Sequence, residues 1–370
     1  MNVAVLGIGL CGFTPTSTGL SYREMIAKAA KMAYTDAGIT IDQIDGAVTV
    51  EEDLISGYSI ADEYTPDQLG VVRKPVYTIP GDFLHGIGSA VMQIQTGRFK
   101  IVVVEAYSKA SNILTKDELL RFAFDPVYNR FSVSPHYLAG IEMRTFLNES
   151  GYSLEDVAEV AVRNRRNAIA NPLAAYGGDY NVADVLGSRA VASPLTELMM
   201  SRHADGAVVV VLGTEEKARE FARKPVYIAG TGWASGNSII ERREHGVSVG
   251  TEIAAAAAYK EAGIVDPAEE IDAFFVSDLY AHRELMHLEA LQVCPCSAVI
   301  VNPDGGALGG GDLFEATGGA RFYEAVQHLR GEAGATQVED AKTVLVHGWR
   351  GLPTDSCAVA ILEAEGRNHE

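Results

Sequence analysis

Short, unbroken apolar runs alternate along this chain with longer stretches whose apolar positions recur every three or four residues. The short runs predict strands buried on both faces, and the longer stretches predict helices with one apolar stripe. Asn2-Val3-Ala4-Val5-Leu6-Gly7 opens the chain as a strand. A helix follows: Ser21 and Glu24 form a capping box at its start, and Gly38 takes the left-handed cap at its end.

The pattern then repeats. The helical segment from Ala29 through Gly38 to Ile39 returns as Ala254 to Ala258, followed by Tyr259-Lys260-Glu261-Ala262-Gly263-Ile264. The strand Ile44 to Val50 returns as Ile271 to Val276, each led by an Ile-Asp pair. Gly81-Asp82-Phe83-Leu84-His85-Gly86-Ile87-Gly88 returns as Gly311-Asp312-Leu313-Phe314-Glu315-Ala316-Thr317-Gly318, each running into an apolar helix. Buried strands follow at Ile101 to Val104 and Thr343 to Val346, and each half closes on another, Ala207 to Leu212 and Ala358 to Leu362.

Segments recurring in one order predict a duplication, each half a sheet covered by helices. The expected fold is therefore α/β with five layers, helix, sheet, helix, sheet, helix, and its central helices begin near Asp82 and Asp312. The halves divide as residues 1–220 and 221–370. The stretch of about 112–194 has no counterpart and is expected to be an inserted loop region, over the site or against a partner.

Composition adds limits. No apolar run approaches the roughly 20 residues of a membrane span, and the strand-like start lacks a basic leader, so a cytoplasmic location is expected. A formal charge of −19 disfavours nucleic acid and anionic membranes, which are bound through clustered Lys and Arg. Cysteines at 11, 294, 296 and 357 form no zinc-type pair and no disulfide framework, so no metal site is expected. Arg163, Arg165 and Arg166 are the densest basic group, and they read either as a patch for an anionic ligand or as a solvated helix face.

Asn302-Pro303-Asp304-Gly305-Gly306-Ala307, followed by Gly311 to Gly318, resembles the glycine-rich signature of the thiolase superfamily, in its sterol-carrier-type and archaeal branch. Asp205-Gly206-Ala207, Asn171-Pro172 and Glu289-Ala290-Leu291 resemble further motifs of that family. The resemblance implies the five-layer fold and coenzyme A thioesters as substrates, with CoA part of the substrate and no tightly bound cofactor. It also implies a homodimer, and a small zinc-containing OB-fold (DUF35-type) partner.

The departures bear on chemistry. Thiolases carry a nucleophilic cysteine at the start of the first central helix, but no cysteine lies between positions 12 and 293 here, and the place falls at Asp82, or at Phe83 if the register slips by one. The family's catalytic histidines are matched by Asp312 and, in Ser277-Asp278-Leu279-Tyr280, by Ser277. His347 matches the residue that moves a proton at the α-carbon and is the first histidine expected to act.

Other site candidates follow from position. Asp82 and Asp312 are expected to face one another, as an acid and base or as two helix caps. His85, three residues after Asp82, reads as a base or as a packed side chain. Asp278 and Tyr280 join the candidate catalytic residues, Tyr280 as a phenol that polarises a carbonyl or as packing. Gly305, Gly306, Gly310 and Gly311, with Arg163 and Arg166, are the expected cofactor-binding set, the glycines offering N–H groups to a thioester oxygen.

With no nucleophile in place, the expected reaction makes or breaks a C–C bond at the α-carbon, best read as retro-aldol cleavage of a β-hydroxyacyl-CoA. The alternatives are an acyl-CoA C-acyltransferase with an atypical site, and a non-catalytic scaffold subunit.

Overall fold

The computed structural model describes residues 2–52, 61–112, 134–237, 242–294, 299–352 and 354–365, with the single positions 121, 124 and 239. Ten strands form one sheet: β1 (Val3–Thr14), β2 (Gly46–Val50), β3 (Val76–Ile79), β4 (Ile101–Ser108), β5 (Asp205–Thr214), β6 (Val226–Ser235), β7 (Ala273–Phe275), β8 (Ile300–Val301), β9 (Thr343–Trp349) and β10 (Ser356–Glu363). Their spatial order is β8-β7-β9-β10-β6-β1-β5-β4-β2-β3. Outward from the centre, β1-β5-β4-β2-β3 and β6-β10-β9-β7-β8 are the same arrangement twice, which is the expected duplication. The halves join where Val3, Ala4 and Val5 of β1 pair antiparallel with Ile228, Tyr227 and Val226 of β6.

Strand alternation sorts the layers. Val48, Val102, Val104, Val208 and Val210 of the first half, and Val344, Val346, Ala358 and Ala360 of the second, pack in one core with helices α2 (Phe83–Gln95) and α8 (Thr317–Arg330). The intervening residues face outward, Val103, Val209 and Val211 onto α1 (Tyr22–Ala37), and Leu345, Val359 and Ile361 onto α5 (Val249–Ala262). Five layers result, as expected.

Close approach of the outer helices depends on glycine in both halves. A Cβ at Gly9 would lie 2.2 Å from the carbonyl of Ala29 in α1, and one at Gly232 would lie 2.0 Å from that of Ala254 in α5. The helix ends follow the sequence: Ser21 and Glu24 form the capping box of α1, and Gly38 and Gly263 close α1 and α5 at φ 67° and 64°. The start of α8 differs. Asp312 precedes a 3-10 turn at Phe314–Ala316, and α8 begins only at Thr317.

The inserted region is also more ordered than the expected loop. Its described part holds α3 (Pro135–Glu149) and α4 (Leu154–Asn167), α4 opened by a capping box of Ser153 and Asp156. Val157 and Ala161 of α4, at helical spacing, bury against Leu285 of α6 (Ala281–Ala290) and Leu308 of α7 (Gly306–Gly310). The insertion thus roofs the second half. Among the described residues no helix is long and apolar enough to cross a membrane. Cys11 and Cys357 are free and buried, but Cys294 is disulfide-bonded, contrary to the expectation of unbridged cysteines.

Candidate active site

The first turns of α2 and α8 meet at Asp82. As N-cap of α2 it accepts a hydrogen bond from Leu84 N–H at 3.1 Å through Oδ1, and one from Gly318 N–H at 3.0 Å through Oδ2. Its carboxylate is wedged between two glycines: a Cβ at Gly318 would lie 1.9 Å from Oδ1, and one at Gly348 2.0 Å. Burial pushes the Asp82 carboxyl up, against the opposing pull of Arg321 and the two N–H groups. This is the capping alternative, now extended across the two halves. Asp312 likewise caps its own turn, Oδ1 accepting from Phe314 N–H at 2.9 Å and Thr317 Oγ1 at 3.1 Å. Asp312 thus serves its own chain turn, whereas Asp82 serves the first turns of both α2 and α8.

His347 lies inside β9 and not on a loop after it. Strand alternation turns its side chain to the outer face, away from α2 and α8, while Gly348 faces Asp82. There it is fully buried. Nε2 lies 2.9 Å from Thr251 Oγ1 of α5, Nδ1 accepts from Ser277 N–H at 3.3 Å, and the ring packs on His287 of α6 at 4.3 Å. Burial, reinforced by Arg321 and Arg283, holds it neutral. Both ring nitrogens are engaged by partners within the protein, Thr251 and Ser277.

His85 stays on the inner side, half-buried. Nδ1 lies 3.0 Å from the Asp82 carbonyl, which can only accept, so Nδ1 carries the proton and Nε2 accepts from Ser356 Oγ at 3.0 Å. Burial holds the ring below the usual histidine range, with Asp82 opposing. A neutral histidine accepting from a serine hydroxyl is a base in place.

Asp278 organises the glycine turn. Its Oδ1 accepts from Ala307 N–H at 2.6 Å, and its Oδ2 accepts from Leu308 N–H at 3.0 Å and Asn164 Nδ2 at 2.9 Å. Burial, with Glu284 nearby, raises it to about 6. The glycine N–H groups expected at a thioester oxygen are spent inside the turn: Gly305 donates to Asn302 O, Gly306 to Asp304 Oδ2, and Gly311 to Ala307 O. A Cβ at Gly306 would lie 2.4 Å from the Asp278 carboxylate, and one at Gly309 would lie 2.4 Å from Ala168 Cβ. Tight packing accounts for this run, although Gly310 lies open toward Phe13, 3.7 Å away.

Three further candidates separate from this cluster. Tyr280 is buried, its hydroxyl 3.0 Å from His136 Nδ1 and its ring against Trp349. Arg163 pairs with Glu284, and Arg166 pairs with Asp179 at 3.2 Å on the surface. Both line an open groove with Tyr152, Val160 and Leu285, whereas Arg165 is buried and donates to Leu198 O and Met200 O. Among the described residues no cluster of His, Cys, Asp or Glu could hold a metal ion.

Two residues were missed. Arg321 of α8 is buried, donates from Nε to His347 O at 3.1 Å, and sits 4.0 Å from Asp82 and 3.9 Å from Asp278. Its signal was a cation among the apolar positions of the first turns of α8. His203 bridges to Asp312 and hydrogen-bonds Asp205 Oδ1 through Nε2 at 3.0 Å. Its signal was the His-x-Asp spacing, which puts both side chains on one face of extended backbone.

Comparison with known proteins agrees with this architecture. Residues 295–364 match the family described as "Thiolase C-terminal domain-like". An acetyl-CoA acetyltransferase of Methanothermobacter thermautotrophicus is 29% identical over 95% of this chain and 96% of its own length. Sterol carrier protein 2 of Bos taurus is 26% identical over 94% of this chain and 69% of its own length. The solved "Ltp2-ChsH2(DUF35) aldolase" superposes with a TM-score of 0.83 at 24% identity, covering 98% of this chain and 97% of that one, a likeness of fold. With the duplicated sheet, the shared core of α2 and α8 and these relatives taken together, the chain has the thiolase fold and is similar in sequence to thiolases and sterol carrier protein 2 along nearly its whole length.

Proposed function

We propose that this protein is a CoA-thioester lyase that cleaves a β-hydroxyacyl-CoA by retro-aldol chemistry, without an acyl-enzyme. The observation that carries the reading is Asp82 at the head of α2, where a thiol would have to stand: a carboxylate bound by two N–H groups is neither nucleophile nor leaving group. The free thiols described lie elsewhere. Burial pushes Cys357 up to about 12 and raises Cys11 as well, so neither supplies a thiolate.

Retro-aldol cleavage needs only proton transfers and a place for the enolate charge. His85, neutral and bonded to Ser356, is the proton-handling group beside the α-carbon. The N-terminal ends of α2 and α8 converge there, and their positive dipole ends favour an enolate oxygen. A homodimer and a DUF35-type partner belong to the same reading, the latter supported by the aldolase neighbour, a complex named with its own DUF35 component. The test is intact-protein mass spectrometry with a panel of acyl-CoAs, alone and with the partner. Cleavage products without a covalent adduct are expected; an adduct would refute the reading.

The Ser356–His85 contact favours one second reading, an acyltransferase with a serine nucleophile. An acyl group mapped to Ser356 in the same experiment would establish it.

A further inference from the structure

The structure assigns a second acid–base group to this site: His203, oriented by Asp205, takes the β-hydroxyl proton of the substrate. The inference rests on the lyase reading and completes it, since cleavage requires one group to accept the hydroxyl proton and another to return a proton to the α-carbon.

The geometry begins with Asp205, wholly buried at the start of β5. Its Oδ2 accepts from Ser17 N–H at 2.8 Å, Ser17 Oγ at 2.9 Å, Lys109 Nζ at 3.0 Å and Ser111 Oγ at 2.6 Å. Burial opposes its charge, but the donors from His203, Ser111, Ser17 and Lys109 outweigh burial and hold the carboxyl well below its ordinary range. Four donors on Oδ2 leave Oδ1 to His203 Nε2, 3.0 Å away. An ionised carboxylate only accepts, so Nε2 carries a proton, and in the neutral tautomer this fixes, Nδ1 holds the lone pair. A carboxylate that fixes a histidine's tautomer and orientation is the arrangement of a catalytic dyad.

Nδ1 is buried and has no hydrogen-bond partner. An unmet buried acceptor costs stability, and a substrate hydroxyl would satisfy it. The ring is not sealed: its side chain is 15% exposed, and Phe314 lies over it at 5.3 Å. Phe314 is held at φ 51°, a strained setting for a bulky residue and one that marks functional sites. The backbone of His203 also pairs with that of Asp312, five residues before α8, so the dyad lies at the approach to the helix whose Gly318 N–H reaches Asp82.

The step balances. His203 Nδ1 takes the β-hydroxyl proton, the oxygen's electron pair forms the carbonyl, the Cα–Cβ bond breaks, and its electrons pass to the thioester enolate. Cα then takes a proton from solvent at the His85 side while His203 Nδ1 gives its own to solvent, so the protons balance and a shortened acyl-CoA and an aldehyde or ketone are released.

Two assays on the full-length protein separate the transfers. The first is cleavage of β-hydroxyacyl-CoA, and the second is exchange of α-hydrogens of acetyl-CoA in deuterated water, which needs no hydroxyl. His203→Gln is expected to lower kcat for cleavage about a hundredfold or more with KM little changed, and to leave exchange intact. Unchanged cleavage, or equal loss of both activities in a variant that melts like the parent, would overturn the assignment. A parent enzyme that cleaves nothing overturns the lyase reading instead. Nitrogen NMR of labelled histidine gives a readout independent of activity: His203 should hold its proton on Nε2 at alkaline pH, and a proton on Nδ1 would sink the dyad.

Discussion

Oδ2 of Asp82 accepts a 3.0 Å hydrogen bond from the N–H of Gly318, so the N-cap of one central helix also holds the first turn of the other. Gly318 has no room for a side chain, because its Cβ would fall 1.9 Å from Oδ1. Gly318→Ala should therefore destabilise the whole protein by about 1–3 kcal/mol, the usual cost of overpacking. Urea-melting midpoints check this, and a variant as stable as the parent would show that the wedge is slack.

His347→Gln should act on stability and spare chemistry. Loss of the buried contacts with Thr251 and Ser277 predicts a cost of about 1–3 kcal/mol. Turnover per folded molecule should stay within about tenfold of the parent, well short of the loss expected for a general base. Collapse of kcat with an unchanged melting temperature would return His347 to the site.

Glu105 sits wholly buried on β4 beside Glu51, and burial raises it to about 8. Its unfolded value is about 4.3, so the folded state holds the proton more tightly. The resulting stability is fully present below the unfolded value, erodes as pH rises, and is gone above about 8. Glu105→Gln lacks that titration. Its stability relative to the parent should rise between pH 5 and pH 8.5, as read from paired urea melts, and a flat difference would show that Glu105 is charged throughout.

Cys11→Ala combined with Cys357→Ala should leave acyl-CoA turnover unchanged, because both thiols are buried and held protonated. Sensitivity of the parent to iodoacetamide that the double variant loses would contradict the reading without a thiolate.

Most of the fold was legible because it is written twice. Val102 and Val344, or Gly38 and Gly263, hold matching places in each half, and a repeated apolar pattern survives local ambiguity. The insertion was harder, since α4 has no second copy and shows itself only through the capping box of Ser153 and the spacing of Val157 and Ala161.

The site was legible in part. His85 and Asp82 follow from position, but His347 was expected at the site from its match to a family residue, whereas strand parity turns it outward and Gly348 inward. Parity near a strand end depends on where pairing begins, which apolar composition alone does not fix. His203 escapes because its partner set, Ser17, Lys109 and Ser111 gathered on Asp205, comes from separate segments of the chain.

The shared core of α2 and α8 carries a consequence for synthesis. The inner wall of the first half is closed by α8, whose first residue follows that of α2 by about 230 positions. At roughly 5–20 residues per second on the ribosome, Val48, Val104, Val208 and their neighbours wait on the order of ten to fifty seconds for that cover. During this interval the nascent chain presents a broad apolar sheet face, a natural target for a holding chaperone, and the duplicated architecture makes the later half the lid on the earlier one.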